Sequence, residues 1–181
     1  MPTNILPETA VTTEIYFGKE KIEAYKFGDD KPQEIINSLD LSKFDSSKYD
    51  FLKIYTSSEA IKNLPLTLVD MPGFDSNIER HNKSIFKYME QSLSFILVID
   101  VDDGTIKSNT INFLREIRDN RLDFFVIINK SDKKLASEVK AVQSGIKNLL
   151  INQQLLTNPF VGTVSAFDDE IDDFKKSYFV N

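Results

Sequence analysis

Four short apolar runs punctuate the second two-thirds of the chain, at residues 66–69, 95–101, 124–128 and 160–164. They are rich in β-branched and aromatic residues, nearly unbroken by polar ones, and of strand length. Such runs lack the apolar–polar alternation of a half-solvated strand and suit a parallel sheet covered on both faces. Between them the apolar period lengthens to that of a helix. Residues 78–91 place Ile78, Ile85, Tyr88 and Met89 close to one face, residues 107–120 do so with Ile111, Leu114 and Ile117, and residues 138–150 with Val139, Val142, Ile146, Leu149 and Leu150. Strand, helix, strand, helix predicts a right-handed doubly wound α/β domain.

The N-terminal third follows another pattern. Residues 11–17 and 21–27 read as two strands flanking a turn at 17–20, and so predict a β-hairpin. Residues 31–39, entered through Pro32, predict a short helix, and residues 51–55 a further strand. The Ser-, Asp- and Lys-rich stretch at 40–50 reads as a surface loop. With 181 residues, 41% of them hydrophobic, the chain can bury a core, and residues 1–181 are read as one domain.

Composition narrows the function classes. The formal net charge is −6 and the sequence pI about 4.9, without a Lys/Arg cluster, so nucleic acid is not an expected partner. The absence of cysteine excludes disulfides and thiolate metal sites. No basic segment followed by an apolar run opens the sequence, and the apolar runs are far shorter than the roughly 20 residues of a membrane helix. A cytoplasmic protein is expected.

The chemistry lies where the apolar runs end. The run at 66–69 leads into Asp70-Met71-Pro72-Gly73. At the carboxyl end of a buried parallel strand such an Asp can reach Mg²⁺ through a water, and the Gly lets its backbone N–H approach a terminal phosphate. A Pro-Gly turn with no ligand accounts for the same four residues. The run at 124–128 leads into Asn129-Lys130-Ser131-Asp132, which is more specific. The Asp132 carboxylate can accept two hydrogen bonds from the N1–H and exocyclic amine of guanine, donors that adenine lacks. The aliphatic stem of Lys130 can lie over the base while Asn129 ties neighbouring loops together. The run at 160–164 ends in Ser165-Ala166, a small pair that lets a backbone N–H meet the guanine O6. Before the first strand, Thr9, Thr12 and Thr13 compete for the part of a threonine that binds Mg²⁺ and reports the γ-phosphate. Thr12 and Thr13 are also explained as β-branched residues entering a strand, which leaves Thr9 as the candidate. A Thr-bearing loop, Asp-x-x-Gly, Asn-Lys-x-Asp and Ser-Ala stand in the order a GTPase-type pocket requires, implying GTP or GDP with Mg²⁺ as ligands.

These residues carry a resemblance. Leu6-Pro7 with Thr9, the long segment at 20–58, Asp70-Met-Pro-Gly-Phe74, the run ending at Asp100, and Ile127-Ile-Asn-Lys-Ser-Asp132 resemble the G domain of the dynamin superfamily, most closely the bacterial dynamin-like proteins. The resemblance covers nearly the whole chain. It implies a P-loop-NTPase-like three-layer α/β/α fold with a mixed, mostly parallel sheet. It also implies GTP hydrolysis coupled to self-association, and membrane remodelling through parts not in this chain. Within it, Asn129, Lys130 and Asp132 would read the base and Ser165 and Ala166 would close over it. Asp70 and Gly73, together with Thr9 as metal ligand and catalytic residue, would address Mg²⁺ and the γ-phosphate.

One part of the pattern is missing. A P-loop reads Gly-x-x-x-x-Gly-Lys-Ser/Thr. Of the six glycines only Gly18 precedes a lysine, and Glu20 follows it. The family's P-loop lies before the switch threonine, so the chain is expected to begin just after it, as an N-terminally truncated G domain without the stalk. Phosphoryl transfer relies on positioning and charge neutralisation that the P-loop supplies, so negligible GTPase activity is expected of this chain alone. A rival reading is a non-catalytic scaffold that keeps the sheet for protein–protein contact. The remaining polar residues have plain explanations: His81 as a solvated side chain, Arg80 as a surface ion-pair partner, and Asp100, Asp102 and Asp103 as a strand-ending turn into Gly104 rather than a metal cluster.

Overall fold

The computed structural model describes residues 11–40, 45, 48–72 and 87–165. They belong to two compact units that divide between Glu90 and Gln91. The expected α/β class with a mixed sheet is what the described residues form.

The first unit contains β1 (Thr12–Phe17), β2 (Lys21–Tyr25), β3 (Glu34–Ile36), β4 (Phe51–Thr56), α1 (Glu59–Lys62) and β5 (Leu68–Asp70). Their sheet has the order β3-β2-β4-β1-β5. The hairpin expected from residues 11–17 and 21–27 does not form, although both strands exist. β4 lies between them, parallel to β1 from Thr12↔Phe51 to Phe17↔Thr56 and antiparallel to β2 from Lys21↔Tyr55 to Tyr25↔Phe51. The Gly18 N–H, which would help close a hairpin, donates to the Thr56 carbonyl at 2.9 Å. Insertion of β4 gives each flanking strand a partner and stacks Tyr16 on Tyr55 and Tyr25 on Phe51, with ring centroids 5.5 and 5.0 Å apart. Such cross-strand aromatic pairs are what stabilises a sheet.

Residues 31–39 contain β3 in place of the expected helix. Ile22 faces Ile36 across the β2·β3 pair, and the Gln33 N–H donates to the Ala24 carbonyl at 2.8 Å. Two adjacent β-branched isoleucines beside an open strand edge satisfy more backbone groups as a strand than as an isolated helical turn.

Alternation along these strands separates two faces. One carries the apolar cluster of Val11, Ile22, Ala24, Tyr49 and Leu52, with Ile54 packed against it. The other carries an ionic and aromatic layer. Lys53 faces Glu14 on β1 and Glu23 on β2, lies 3.6 Å from Glu14, and sits 5.0 Å from the Tyr25 ring centroid. The hydroxyls of Tyr16 and Tyr25 donate to Glu14 and Glu23, each at 2.8 Å, and that of Tyr88 also donates to Glu14.

The second unit contains β6 (Ser94–Asp100), α2 (Ser108–Asp119), β7 (Asp123–Asn129), a single 3₁₀ turn (Ser131–Lys133), α3 (Ala136–Asn152) and β8 (Val161–Thr163). Its sheet, ordered β6-β7-β8, is wholly parallel, as the unbroken apolar runs predict. Because both crossovers step in the same direction, right-handedness puts α2 and α3 on one face. Accordingly Arg118 of α2 donates to the Gln154 carbonyl just beyond α3 at 2.9 Å, and Phe113 of α2 meets Phe95 of β6 edge-on. Leu114, Ile117, Val126, Ile128, Ile146 and Leu150 are essentially fully buried. Ile96 and Val98, which alternation turns to the other face, remain 50% and 56% exposed. Among the described residues no helix is long and apolar enough to cross a membrane.

Candidate functional site

β7 delivers Asn129 to the carboxyl end of the parallel sheet, and the chain turns sharply there. The side-chain oxygen of Asn129 accepts the Lys130 N–H at 2.8 Å. Lys130 sits in the left-handed region, at φ 59 and ψ 38. That geometry costs an L-residue about 1–2 kcal/mol, so the surrounding contacts must hold it. One of them is ionic: Lys130 Nζ lies 2.6 Å from Asp100 Oδ2, and Asp100 is the register partner of Asn129 across β6·β7. The Asp102 N–H donates to the other Asp100 oxygen at 3.0 Å. The Lys130 ammonium, with help from that N–H, holds the Asp100 carboxyl down to about 2. Lys133, at 3.1 Å, and then Lys134 hold the Asp102 carboxyl below its ordinary value. Asp102 in return raises Lys133.

The 3₁₀ turn is pinned to the end of β8. Both the N–H and the hydroxyl of Ser131 donate to the Val164 carbonyl, at 3.2 and 3.1 Å. One residue further along each loop, the hydroxyl of Ser165 donates to Asp132 Oδ1 at 2.7 Å. Ser165 is only 4% exposed, whereas Asp132 lies on the surface. An exposed carboxylate with one oxygen fixed from below keeps acceptor sites for further donors. That suits a planar base with two adjacent N–H groups, as guanine has.

Four of the sequence candidates, Asn129, Lys130, Asp132 and Ser165, are therefore assembled at the end of β7 and in the loops that follow β7 and β8 of the second unit. Asp70 belongs to the first unit, where it ends β5 opposite Thr13. Its strand differs from expectation. β5 runs antiparallel to β1 and its side chains are not buried: Leu68 is 37% exposed, and Leu66, just before the strand, 47%. Among the described residues β5 is hydrogen-bonded to β1 alone. An exposed carboxylate at a strand end still suits a cation held through water. Thr9, Gly73, Ala166, Arg80 and His81 lie outside the described residues.

The other threonines follow the structural explanation. Thr12 is buried, and its hydroxyl has no partner among the described residues, while the Thr13 hydroxyl donates to the Val11 carbonyl at 3.2 Å. Asp100, Asp102 and Asp103 form the expected turn: the Asp103 N–H donates to the Asp100 carbonyl at 3.0 Å, and Gly104 takes φ +66. No metal-binding group of three acidic, His or Cys side chains occurs among the described residues. Sequence reasoning missed the contact between Asp100 and Lys130 and the pin made by Ser131. The signal was available as charge complementarity between Asp100-x-Asp102 and the lysines at 130, 133 and 134.

Comparison with known proteins bears on these observations. A sequence profile of the dynamin family matches residues 1–131. An uncharacterised protein encoded in the xynA 3′ region of Caldicellulosiruptor sp. (strain Rt8B.4) is 26% identical over 156 residues, spanning 83% of this chain and 39% of that protein. Among solved structures, a chain of an oligomerised bacterial dynamin pair, described as providing a mechanism for long-range sensing and tethering of membranes, superposes with a TM-score of 0.54. Its identity is 17%, and the match covers 93% of this chain and 27% of that one. The chain thus spans well under half the length of either relative.

Proposed function

Because this chain belongs to the dynamin family, we propose that it carries the base-reading part of a guanine-nucleotide pocket. Asn129, Lys130 and Asp132 read the base, and Ser165 and Ala166 close over it. Asp70 and Gly73 with Thr9 address Mg²⁺ and the γ-phosphate. The observation that carries this reading is the Ser165–Asp132 hydrogen bond. It fixes the carboxylate that must meet guanine N1–H and the exocyclic amine, and a solvated surface loop has no need of it. Selectivity follows from the cost of leaving polar groups unpaired, since adenine offers a carboxylate no matching pair of donors.

Bound GTP would supply the reactive phosphoanhydride, and Mg²⁺ would neutralise charge on its phosphates. This chain's own residues bind and orient the base. They include no Gly-x-x-x-x-Gly-Lys-Ser/Thr segment to grip the phosphates. On its own the chain therefore binds guanine nucleotide weakly and turns GTP over negligibly. In the whole protein, GTP hydrolysis coupled to self-association of G domains, with membrane remodelling performed by other parts, is the activity that family membership favours.

The test is a titration of the isotopically labelled 181-residue chain with GDP and, separately, ADP, followed by backbone amide shifts. Saturable shifts at Asn129 to Lys133 and at Ser165 with GDP, and weaker ones with ADP, are expected. Equal response to both nucleotides, or shifts confined to residues elsewhere, would overturn the pocket assignment. Phosphate release from GTP at the rate of a full-length dynamin-like enzyme would overturn the inactivity of the isolated chain.

A further inference from the structure

The contact between Asp100 and Lys130 joins a residue of no assigned role to one placed in the base-reading loop. We propose that Asp100 is a positioning residue for base recognition, whose carboxylate clamps the Lys130 ammonium and so fixes the direction of the Lys130 stem before the nucleotide arrives. This proposal rests on the guanine-pocket reading.

The geometry fixes both ends of the Lys130 side chain. At the root, the left-handed backbone set by the Asn129 side chain aims the Cα–Cβ bond. At the tip, Nζ lies 2.6 Å from Asp100 Oδ2. A lysine stem has four rotatable bonds, and ordering them at the moment of binding would weaken binding. An anchor already in place removes much of that loss. Asp100 is itself held, because it closes β6 in register with Asn129 and one of its oxygens accepts the Asp102 N–H at 3.0 Å. The neighbouring charges divide so that the clamp stays with Lys130. Lys133 is nearer to Asp102, at 3.1 Å, than to Asp100, at 3.6 Å, and Lys134 also pairs with Asp102, at 3.4 Å. The Lys130 side chain is 52% exposed. An ion pair in that position contributes little to folding, so its value lies in pre-organisation.

Asp100→Asn tests this in the full chain, because Asn keeps an acceptor for the Asp102 N–H while losing the charge that holds Lys130. Asp100→Glu keeps the charge and serves as the rescue. Two readouts are needed: the Lys130 side-chain ammonium resonance without nucleotide, and the GDP dissociation constant. The expected result is loss of the protected ammonium signal and about fivefold weaker GDP binding in Asp100→Asn, with both substantially recovered in Asp100→Glu and the thermal midpoint unchanged in each. Wild-type binding of GDP with unaltered affinity in Asp100→Asn would overturn the clamp and leave the pocket standing. Failure of the wild-type chain to bind GDP at all would overturn the pocket reading and the clamp together.

Discussion

Ser165 and Asp132 stand 33 residues apart in the chain, yet the serine hydroxyl donates to the aspartate carboxylate at 2.7 Å. The two loops meet because β7 and β8 are parallel neighbours, which brings the ends of both strands to the same edge of the sheet. Ser131 reinforces the junction with two hydrogen bonds to the Val164 carbonyl.

Replacing Asp132 with Asn exchanges an acceptor for a mixed donor and acceptor. Preference should pass from guanine to xanthine nucleotides, with guanine affinity falling roughly 10- to 100-fold, the worth of hydrogen bonds to a charged group. Competition between GDP and XDP for a fluorescent nucleotide reads this directly. Ser165→Ala should weaken GDP binding in the same assay by a smaller factor, without changing which base is preferred. An unaltered base preference in Asp132→Asn would remove Asp132 from the pocket.

The second unit should be far more sensitive on its helix-covered side than on the other. Ile117 is fully buried, and Ile117→Ala should cost about 2–5 kcal/mol. Val98 is 56% exposed, and Val98→Ala should cost less than about 1 kcal/mol. Urea unfolding followed by circular dichroism measures both. Comparable losses would mean that Val98 is covered in solution.

Thr12 is 1% exposed, with a hydroxyl that has no partner among the described residues. Thr12→Val keeps the β-branched shape in β1 while removing a buried polar atom, so stability should rise by about 1 kcal/mol. A higher thermal midpoint is expected. A loss instead would show that the hydroxyl is satisfied in solution.

Five of the six tyrosines have phenols raised above their ordinary value. Tyr16 is pushed up to about 12, by burial first and then by its hydrogen bond to Glu14. Burial followed by hydrogen bonding to a glutamate likewise raises Tyr25 and Tyr88. A group raised in the folded state contributes stability that is complete below the ordinary phenol value near 10 and is lost as pH rises through the folded value. Phenolate absorbance should therefore develop late and with loss of structure in the native protein, but near the ordinary value in denaturant. Coincident curves would show that the tyrosine–glutamate layer is not formed.

The parallel sheet of the second unit was legible in the sequence because apolar runs of strand length alternate with helical periods, although Ile96 and Val98 leave one side of β6 exposed, and the Asn-Lys-x-Asp and Ser-Ala endings state what stands at the strand tips. The helical periods at 107–120 and 138–150 were readable for the same reason, since their apolar spacing is set by the sheet they cover. Pairing in the first unit was not legible. Local pattern shows that residues 11–17 and 21–27 are extended, but not that β4, contributed by residues 51–56, separates them. That choice depends on which strand edges find partners and on which aromatic rings then stack, interactions between residues some 30 positions apart. The same limit explains β3, where an adjacent strand edge decided between helix and strand.

By itself, the sequence determined the base-reading residue types, their order, and the lack of a phosphate-gripping glycine loop among the 181 residues, because each is a matter of identity and spacing. Only the tertiary structure decided that Ser165 holds Asp132 and that Asp100 holds Lys130. Both contacts cross between neighbouring parallel strands, and their lengths follow from strand register, which no local stretch of sequence encodes.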